Sequence, residues 1–204
     1  MHIHCALPFM HLKKIFFLIF FSSLHLISFG QNDFFHKLSD VAITLTSLHV
    51  QYDPQYFVIN YPNGDVPADK GVCTDVVIRA YRKMGIDLQK DVHADMIANF
   101  KAYPNLWNLS HTDSNIDHRR VPNLMKFFER KNTSLPITIN AADYKPGDIV
   151  CWNLGKEITH IGIVVDRKST DGKRNLIVHN IGGGQVIQDC LFQFTIIGHY
   201  RYKK

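Results

Sequence analysis

The sequence predicts an α+β fold in which N-terminal helices pack on a C-terminal antiparallel sheet of about five strands. The first sign is a change of period: apolar residues recur at three- and four-residue steps up to about residue 131, and at two-residue steps from Ala141 onward. The second is punctuation, because Gly-rich or charged turns cut the last third into runs of strand length. The third is order. Helical runs come first and strand runs last, with no repeat and no low-complexity linker, which describes a single domain over residues 31–204.

Residues 1–30 stand apart from that domain. Lys13-Lys14 precede the apolar run Ile15–Phe21, and Ser22 to Gly30 follow, the three-part pattern of a signal peptide cleaved before Gln31. Met10 opens such a leader more naturally than Met1 does. The run is short and broken by Ser22, Ser23 and His25, so no stable membrane span is expected. The mature chain would then sit in a periplasm or outside the cell.

Phe34, Phe35, Leu38, Val41, Ala42, Leu45 and Leu48 share one side of a helix expected over residues 33–50. A turn-rich stretch from Tyr52 to Asp65 carries Asp53-Pro54, Tyr61-Pro62 and Asn63-Gly64, with a short strand expected at Tyr56–Asn60. Cys73, Val76, Val77, Ala80, Tyr81 and Met84 then line an amphipathic helix whose other side holds Arg79, Arg82 and Lys83, and Gly85 stops it. Further helices are expected at Val92–Lys101 and at Pro122–Lys131, where Pro122 suits a first turn. Between them Leu106 to Val121 is polar and aperiodic, a loop long enough to be functional or mobile. Strands are expected at Asp148–Asn153, Thr159–Asp166, Asn175–Asn180, Val186–Cys190 and Ile196–Tyr202. Gly182-Gly183-Gly184 reads as a hairpin turn, since it lacks the Lys and Ser/Thr of a phosphate loop and precedes a strand.

Composition narrows the function classes. Of 204 residues 46% are hydrophobic and 20% charged, as in ordinary globular proteins. Loss of Lys13 and Lys14 with the leader lowers the formal charge from +5 to +3, and no nucleic-acid motif accompanies the scattered basic residues. Nucleic acid is therefore not an expected partner, whereas an anionic cell-wall polymer is compatible. Loss of Cys5 leaves Cys73, Cys151 and Cys190, an odd number for an oxidising compartment; a Cys151–Cys190 disulfide stays open. No Cys-x-x-Cys spacing exists for a zinc ribbon or thioredoxin-type site. No metal or other cofactor is expected.

Cys73 opens its helix, where unpaired N–H groups and the helix dipole favour an anion. Such positions lower a cysteine pKa from about 8.5 to roughly 3.5–7.5, giving a nucleophilic thiolate. A small apolar residue closing a helix start is the ordinary alternative. A nucleophile needs a base and an orienting group. In Thr159–Val165, alternation places His160, Gly162 and Val164 on one face, with Gly162 leaving room for the Cys73 helix to approach. His179 lies on the next strand. A loop from about Lys168 to Arg174 sets it directly opposite His160, whereas a tight Asp171-Gly172 turn would part them by roughly 13 Å. Cys73, His160 and His179 are the catalytic candidates. Thr74 and Asp75 beside the nucleophile, and Asp117, His118, Arg119 and Arg120 in the polar loop, are the candidate substrate contacts. Thr74 would lend a backbone N–H to an oxyanion, Asp75 suits a helix cap or a substrate contact, and a guanidinium suits a carboxylate.

These residues fall in motifs that resemble a bacterial family, domain of unknown function 1287. The motifs are Gly71-Val72-Cys73-Thr74-Asp75-Val76-Val77, Asp117-His118-Arg119-Arg120-Val121-Pro122-Asn123-Leu124, Pro146-Gly147-Asp148-Ile149-Val150, His160-Ile161-Gly162-Ile163-Val164, His179-Asn180-Ile181-Gly182 and Gly198-His199-Tyr200-Arg201-Tyr202. The resemblance spans about residues 35–202. More remotely the pattern is similar to NlpC-type cell-wall cysteine peptidases, which are papain-like. Their helix-start Cys, Pro-Gly-Asp turn and His-x-Gly strand match Cys73, Pro146–Asp148 and His160–Ile163, and their third polar residue falls on His179. Those enzymes usually carry Asp-Cys-Ser where this chain has Val72-Cys73-Thr74. The resemblance implies a secreted cysteine peptidase or amidase with a Cys-His-His site, cutting amide bonds in peptidoglycan stem peptides. Two rival readings accompany it: a non-catalytic wall-binding module on the same fold, and a zinc amidase using His93, Asp95, His111, Asp113, Asp117 and His118.

Overall fold

Alternation in the last third of the chain builds a five-stranded antiparallel sheet whose third strand in space carries His160. The strands are β3 (Ile149–Asn153), β4 (Thr159–Lys168), β5 (Asn175–His179), β6 (Val186–Gln188) and β7 (Thr195–Tyr200), in the spatial order β6-β5-β4-β3-β7. In this computed structural model, residues 33–204 are described, and residues 35–204 make one compact unit. The leader expected over residues 1–30 lies outside the described residues.

Helix α1 runs through residues 33–45. It ends short of residue 50 because Thr44, Thr46 and Ser47 turn their hydroxyls onto carbonyls three residues back, a competition that favours a turn over a further helical turn. The strand expected at Tyr56–Asn60 does not form. That segment is tied down by side chains instead: Ile59 N–H is donated to Asn115 Oδ1, and Asn60 O accepts from Gln89 Nε2. The short pairing here is parallel, between β1 (Gln51–Tyr52) and β2 (Lys70–Gly71).

Helix α2 (Cys73–Lys83) follows β2 at once. Its first nine residues are all buried, so the basic side expected to face water does so only at its C-terminal end. Arg79 is held by the Asp65 carboxylate and the carbonyls of Pro67 and Lys70. Helix α3 (Leu88–Asn99) starts four residues earlier than its apolar period implies, because the Asp87 carboxylate caps it by accepting Lys90 N–H. Helix α4 (Val121–Arg130) carries Pro122 in its first turn.

The sheet has two buried faces. Tyr144, Val150, Trp152, Val164, Ile177, Cys190 and Leu191 cluster on one of them. Helix α2 packs on β4, and α4 on β4 and β7. The Pro146-Gly147-Asp148 turn locks sheet entry: Asp148 is fully buried and accepts from Lys145 N–H, His199 Nε2–H and the Arg201 guanidinium. Gly147 sits at φ +84°, with the backbone of Phe35 2.5 Å from where a Cβ would lie, so only glycine fits.

Candidate active site

The site is assembled where α2 begins against β4. Cys73 is the first residue of α2 and 7% exposed. The backbone N–H groups of Ile161 on β4, of Thr74 and of Cys73 itself lie near the sulfur, which sets the thiol beside the strand residue that follows His160. These dipoles favour the thiolate, but burial is the larger effect and Asp75 adds to it, so the thiol is pushed up to about 12. The low pKa expected from the helix start is therefore not what this environment produces. Dehydration outweighs the N-terminal dipole, and the resting sulfur is a protonated thiol.

His160 and His179 meet. His160 Nε2 lies 2.8 Å from His179 Nδ1, and the rings stand edge to face with centroids 5.0 Å apart. They do not sit directly opposite, as the sequence suggested. Ile163 pairs with Val178 and Val164 with Ile177, and continuing that register by one residue sets His179 across from Gly162. The turn pairs Lys168 with Asn175, a register that alone would set His179 across from Val164; the bulge between Val165 and Lys168, where β4 advances three residues while β5 advances one, brings it two residues closer to His160. The loop beyond it is residues 169–174, close to the long connection expected. The rings therefore meet on the diagonal.

Gly162 makes that diagonal possible. A Cβ there would lie 2.7 Å from Ile177 Cγ2 and 3.1 Å from His179 Cβ, far inside the usual cross-strand spacing of about 4.5–5.5 Å. The room left by the missing side chain is thus filled by β5 rather than by α2.

A third member extends the chain. His179 Nε2 lies 3.0 Å from Gln188 Oε1 on β6, with Cys190 Sγ 3.7 Å from the same nitrogen. A carbonyl oxygen only accepts, so His179 carries its proton on Nε2 and offers the lone pair of Nδ1. His160 then donates its Nε2–H to that lone pair and keeps Nδ1 unprotonated. Burial, reinforced by His179, lowers the His160 pKa to about 3, and burial also lowers that of His179. The His160 ring is neutral over the physiological range. Trp152 backs His160 with ring centroids 5.8 Å apart and is itself fixed by donating Nε1–H to Leu191 O.

An open groove of about 620 Å³ runs between the 46–52 segment and the Gly182–Gly184 turn. Tyr52 is in its wall, and burial together with Cys73 and Asp75 raises the phenol pKa. Tyr52 and Gln188 carried no signal at the sequence level. Gln188 becomes visible only once β6 is paired with β5, because His179 pairs with Val186 and Gln188 follows two residues on, on the same face.

The other candidates have different employments. Thr74 Oγ1–H is donated to Arg119 O. Asp75 accepts Val72 N–H at the start of α2 and is gripped by two bonds of 3.0 Å from Arg119, an ion pair whose side chains are each 3% exposed. Arg119 also reaches Gln55 O, so its fork is engaged within the fold. Asp117 is fully buried against His93, and His118 is buried with its pKa lowered to about 3, chiefly by burial. Arg120 lies 4.0 Å over the Trp107 ring. Of the six residues of the zinc reading only the side chains of His93 and Asp117 bond to each other, while Asp113 gives Asp117 its backbone N–H; Asp95 is held by Arg130, Lys131 and Tyr103. Among the described residues no three His, Cys, Asp or Glu side chains converge as a metal site. Cys73, Cys151 and Cys190 are all buried free thiols, so Cys151 and Cys190 are not bonded to each other.

Comparison with known proteins agrees with this architecture. Two crystal structures of an N-acetylmuramoyl-L-alanine amidase from Bacteroides uniformis superpose with TM-scores of 0.50 and 0.49 at 16% and 13% identity. Each covers 84% of this chain and 100% of that chain, a likeness of fold. Uncharacterized protein YijF of Escherichia coli (strain K12) is 52% identical over 151 residues, 74% of this chain and 73% of that protein. The sequence also matches the family described as Domain of unknown function (DUF1287) over residues 39–202, and the chain belongs to that family.

Proposed function

We propose that this protein is a cysteine peptidase or amidase that cleaves amide bonds in peptidoglycan stem peptides, working in a periplasm or outside the cell. The observation that carries the reading is the relay His160–His179–Gln188, which leaves one unprotonated imidazole nitrogen on the strand whose Ile161 N–H lies near the Cys73 sulfur. The location rests on the leader-like residues 1–30, and the substrate on the resemblance to cell-wall peptidases and the amidase-like fold. The open groove beside Tyr52 suits an extended polar chain.

In this mechanism Cys73 attacks the amide carbonyl carbon while His160 Nδ1 takes the thiol proton. Because thiol and imidazole are both neutral at rest, proton transfer accompanies carbon–sulfur bond formation rather than preceding it. N–H groups at the start of α2 stabilise the oxyanion. The carbon–nitrogen bond then breaks, the amine leaves with the proton from His160, and a thioester remains. Water, deprotonated by His160, hydrolyses that thioester and restores the thiol. His179, oriented by Gln188, holds the ring of His160 and steadies its transient positive charge.

The buried, high-pKa thiol is the observation that favours the second reading, a wall-binding module without turnover. Digestion of purified peptidoglycan separates the two. The expected outcome is new amino termini released by the native chain and none by Cys73→Ala, with both binding the wall. Binding with no cleavage by either chain would favour the module, and cleavage persisting in Cys73→Ala would refute the nucleophile.

A further inference from the structure

A second cavity, of about 250 Å³, opens among α3, the turn at Phe100–Ala102, the loop through Trp107 and the start of α4. Phe100, Tyr103, Trp107 and Leu109 supply apolar wall. Its polar lining comes from Lys101, Asn105, Arg120 and Asn123, so the charged groups at the wall are cations. Two buried polar atoms on those residues have no partner: Arg120 Nη1 and Asn123 Oδ1. Asn123 is 1% exposed and its amide nitrogen is already engaged, donating to Asp117 O, so its carbonyl oxygen is fixed in place as an acceptor. The Arg120 guanidinium is held 4.0 Å over Trp107, a stacking that fixes its plane while leaving Nη1 free.

A buried donor and a buried acceptor left unmatched are costly, and a ligand that supplies the complement removes that cost. The donor here asks for an anion and the acceptor for an N–H. The walls ask for one apolar side chain, because 250 Å³ falls below the usual range of about 300–1,000 Å³ for sites that hold drug-sized molecules. We propose that this cavity binds the carboxyl-terminal residue of an acylated peptide with an apolar side chain: carboxylate on Arg120, amide N–H on Asn123, side chain against Phe100 and Trp107. The assignment stands independently of turnover at Cys73.

The probe is N-acetyl-L-phenylalanine, titrated against the full chain by calorimetry and by tryptophan fluorescence, with N-acetyl-L-phenylalaninamide as the uncharged control. The acid is expected to bind saturably and to change the Trp107 emission, and the amide to bind at least tenfold more weakly. Trp107→Phe should remove the fluorescence change. Arg120→Gln should weaken the acid at least tenfold while leaving the amide unchanged, and Cys73→Ala should leave both as they are. Equal binding of acid and amide, no saturable binding of the acid, or an Arg120→Gln chain that folds and binds the acid normally would each overturn the assignment. Should Arg120→Gln fail to fold, the acid-to-amide ratio on the native chain still decides.

Discussion

Two buried histidines on one sheet, His160 on β4 and His199 on β7, have nearly equal exposure, 4% and 2%, yet opposite employment. His199 has both ring nitrogens committed, Nδ1 to Pro136 O and Nε2 to the Asp148 carboxylate, with Tyr144 stacked on its face. His160 commits only Nε2, and its partner is a neutral ring rather than a carboxylate. Burial therefore does not separate these two histidines. What does is commitment, since His160 keeps one ring nitrogen unengaged and His199 keeps none.

The largest effect should come from exchanging the two truncations. His160→Ala is expected to lower peptidoglycan cleavage by about 10²–10⁴-fold, the range for loss of a general base, with the urea midpoint little changed. His199→Ala should leave the rate per folded molecule intact but cost about 1–3 kcal/mol, because it strips a partner from buried Asp148. Paired rate and unfolding measurements check this, and the reverse pattern would dissolve the distinction.

A smaller effect sharpens it. Gln188→Leu removes the acceptor that fixes the His179 tautomer, a bond worth about 1 kcal/mol, so kcat should fall roughly 5–10-fold. The pH–rate profile should change as well, since the two tautomers of the relay become closer in energy, while KM stays put. A purely structural role would lower the unfolding midpoint without altering the profile.

A third test reads stability against pH. The folded-state pKa of His160 is depressed to about 3 from 6.5, so between those values the unfolded chain binds more protons than the native one. Its contribution is complete above 6.5 and declines as the pH falls toward 3, and His118 acts in the same direction. His160→Gln and His118→Gln should each flatten the acid limb of the unfolding free energy, as read by urea titration at a series of pH values.

Most of the sheet and the order of the helices were legible in the sequence, because period-two and period-3.6 patterns report which side of an element is dry. The strand ends fell within a few residues, and His160 and His179 do meet, though not directly opposite. The register was not legible: the bulge at Val165–Lys168 breaks no hydrophobic pattern, yet it moves His179 from opposite Val164 to opposite Gly162, within diagonal reach of His160. Nor was the fate of the polar loop. Asp117, His118 and Arg119 are as hydrophilic as any surface turn, and their burial becomes intelligible only once His93 and Asp75 arrive from distant parts of the chain. The state of the thiol was missed for a related reason, since a helix start announces its dipole in sequence while the depth of its dehydration depends on everything packed around it.

Gly162 has one more implication, for how such a dyad can be built or lost. The contact between the two rings depends on a hole of methyl size, so even the mildest replacement, Gly162→Ala, would pry two strands apart before it touched either imidazole. Anyone grafting this pair onto another antiparallel scaffold would have to install the vacancy first and the histidines second.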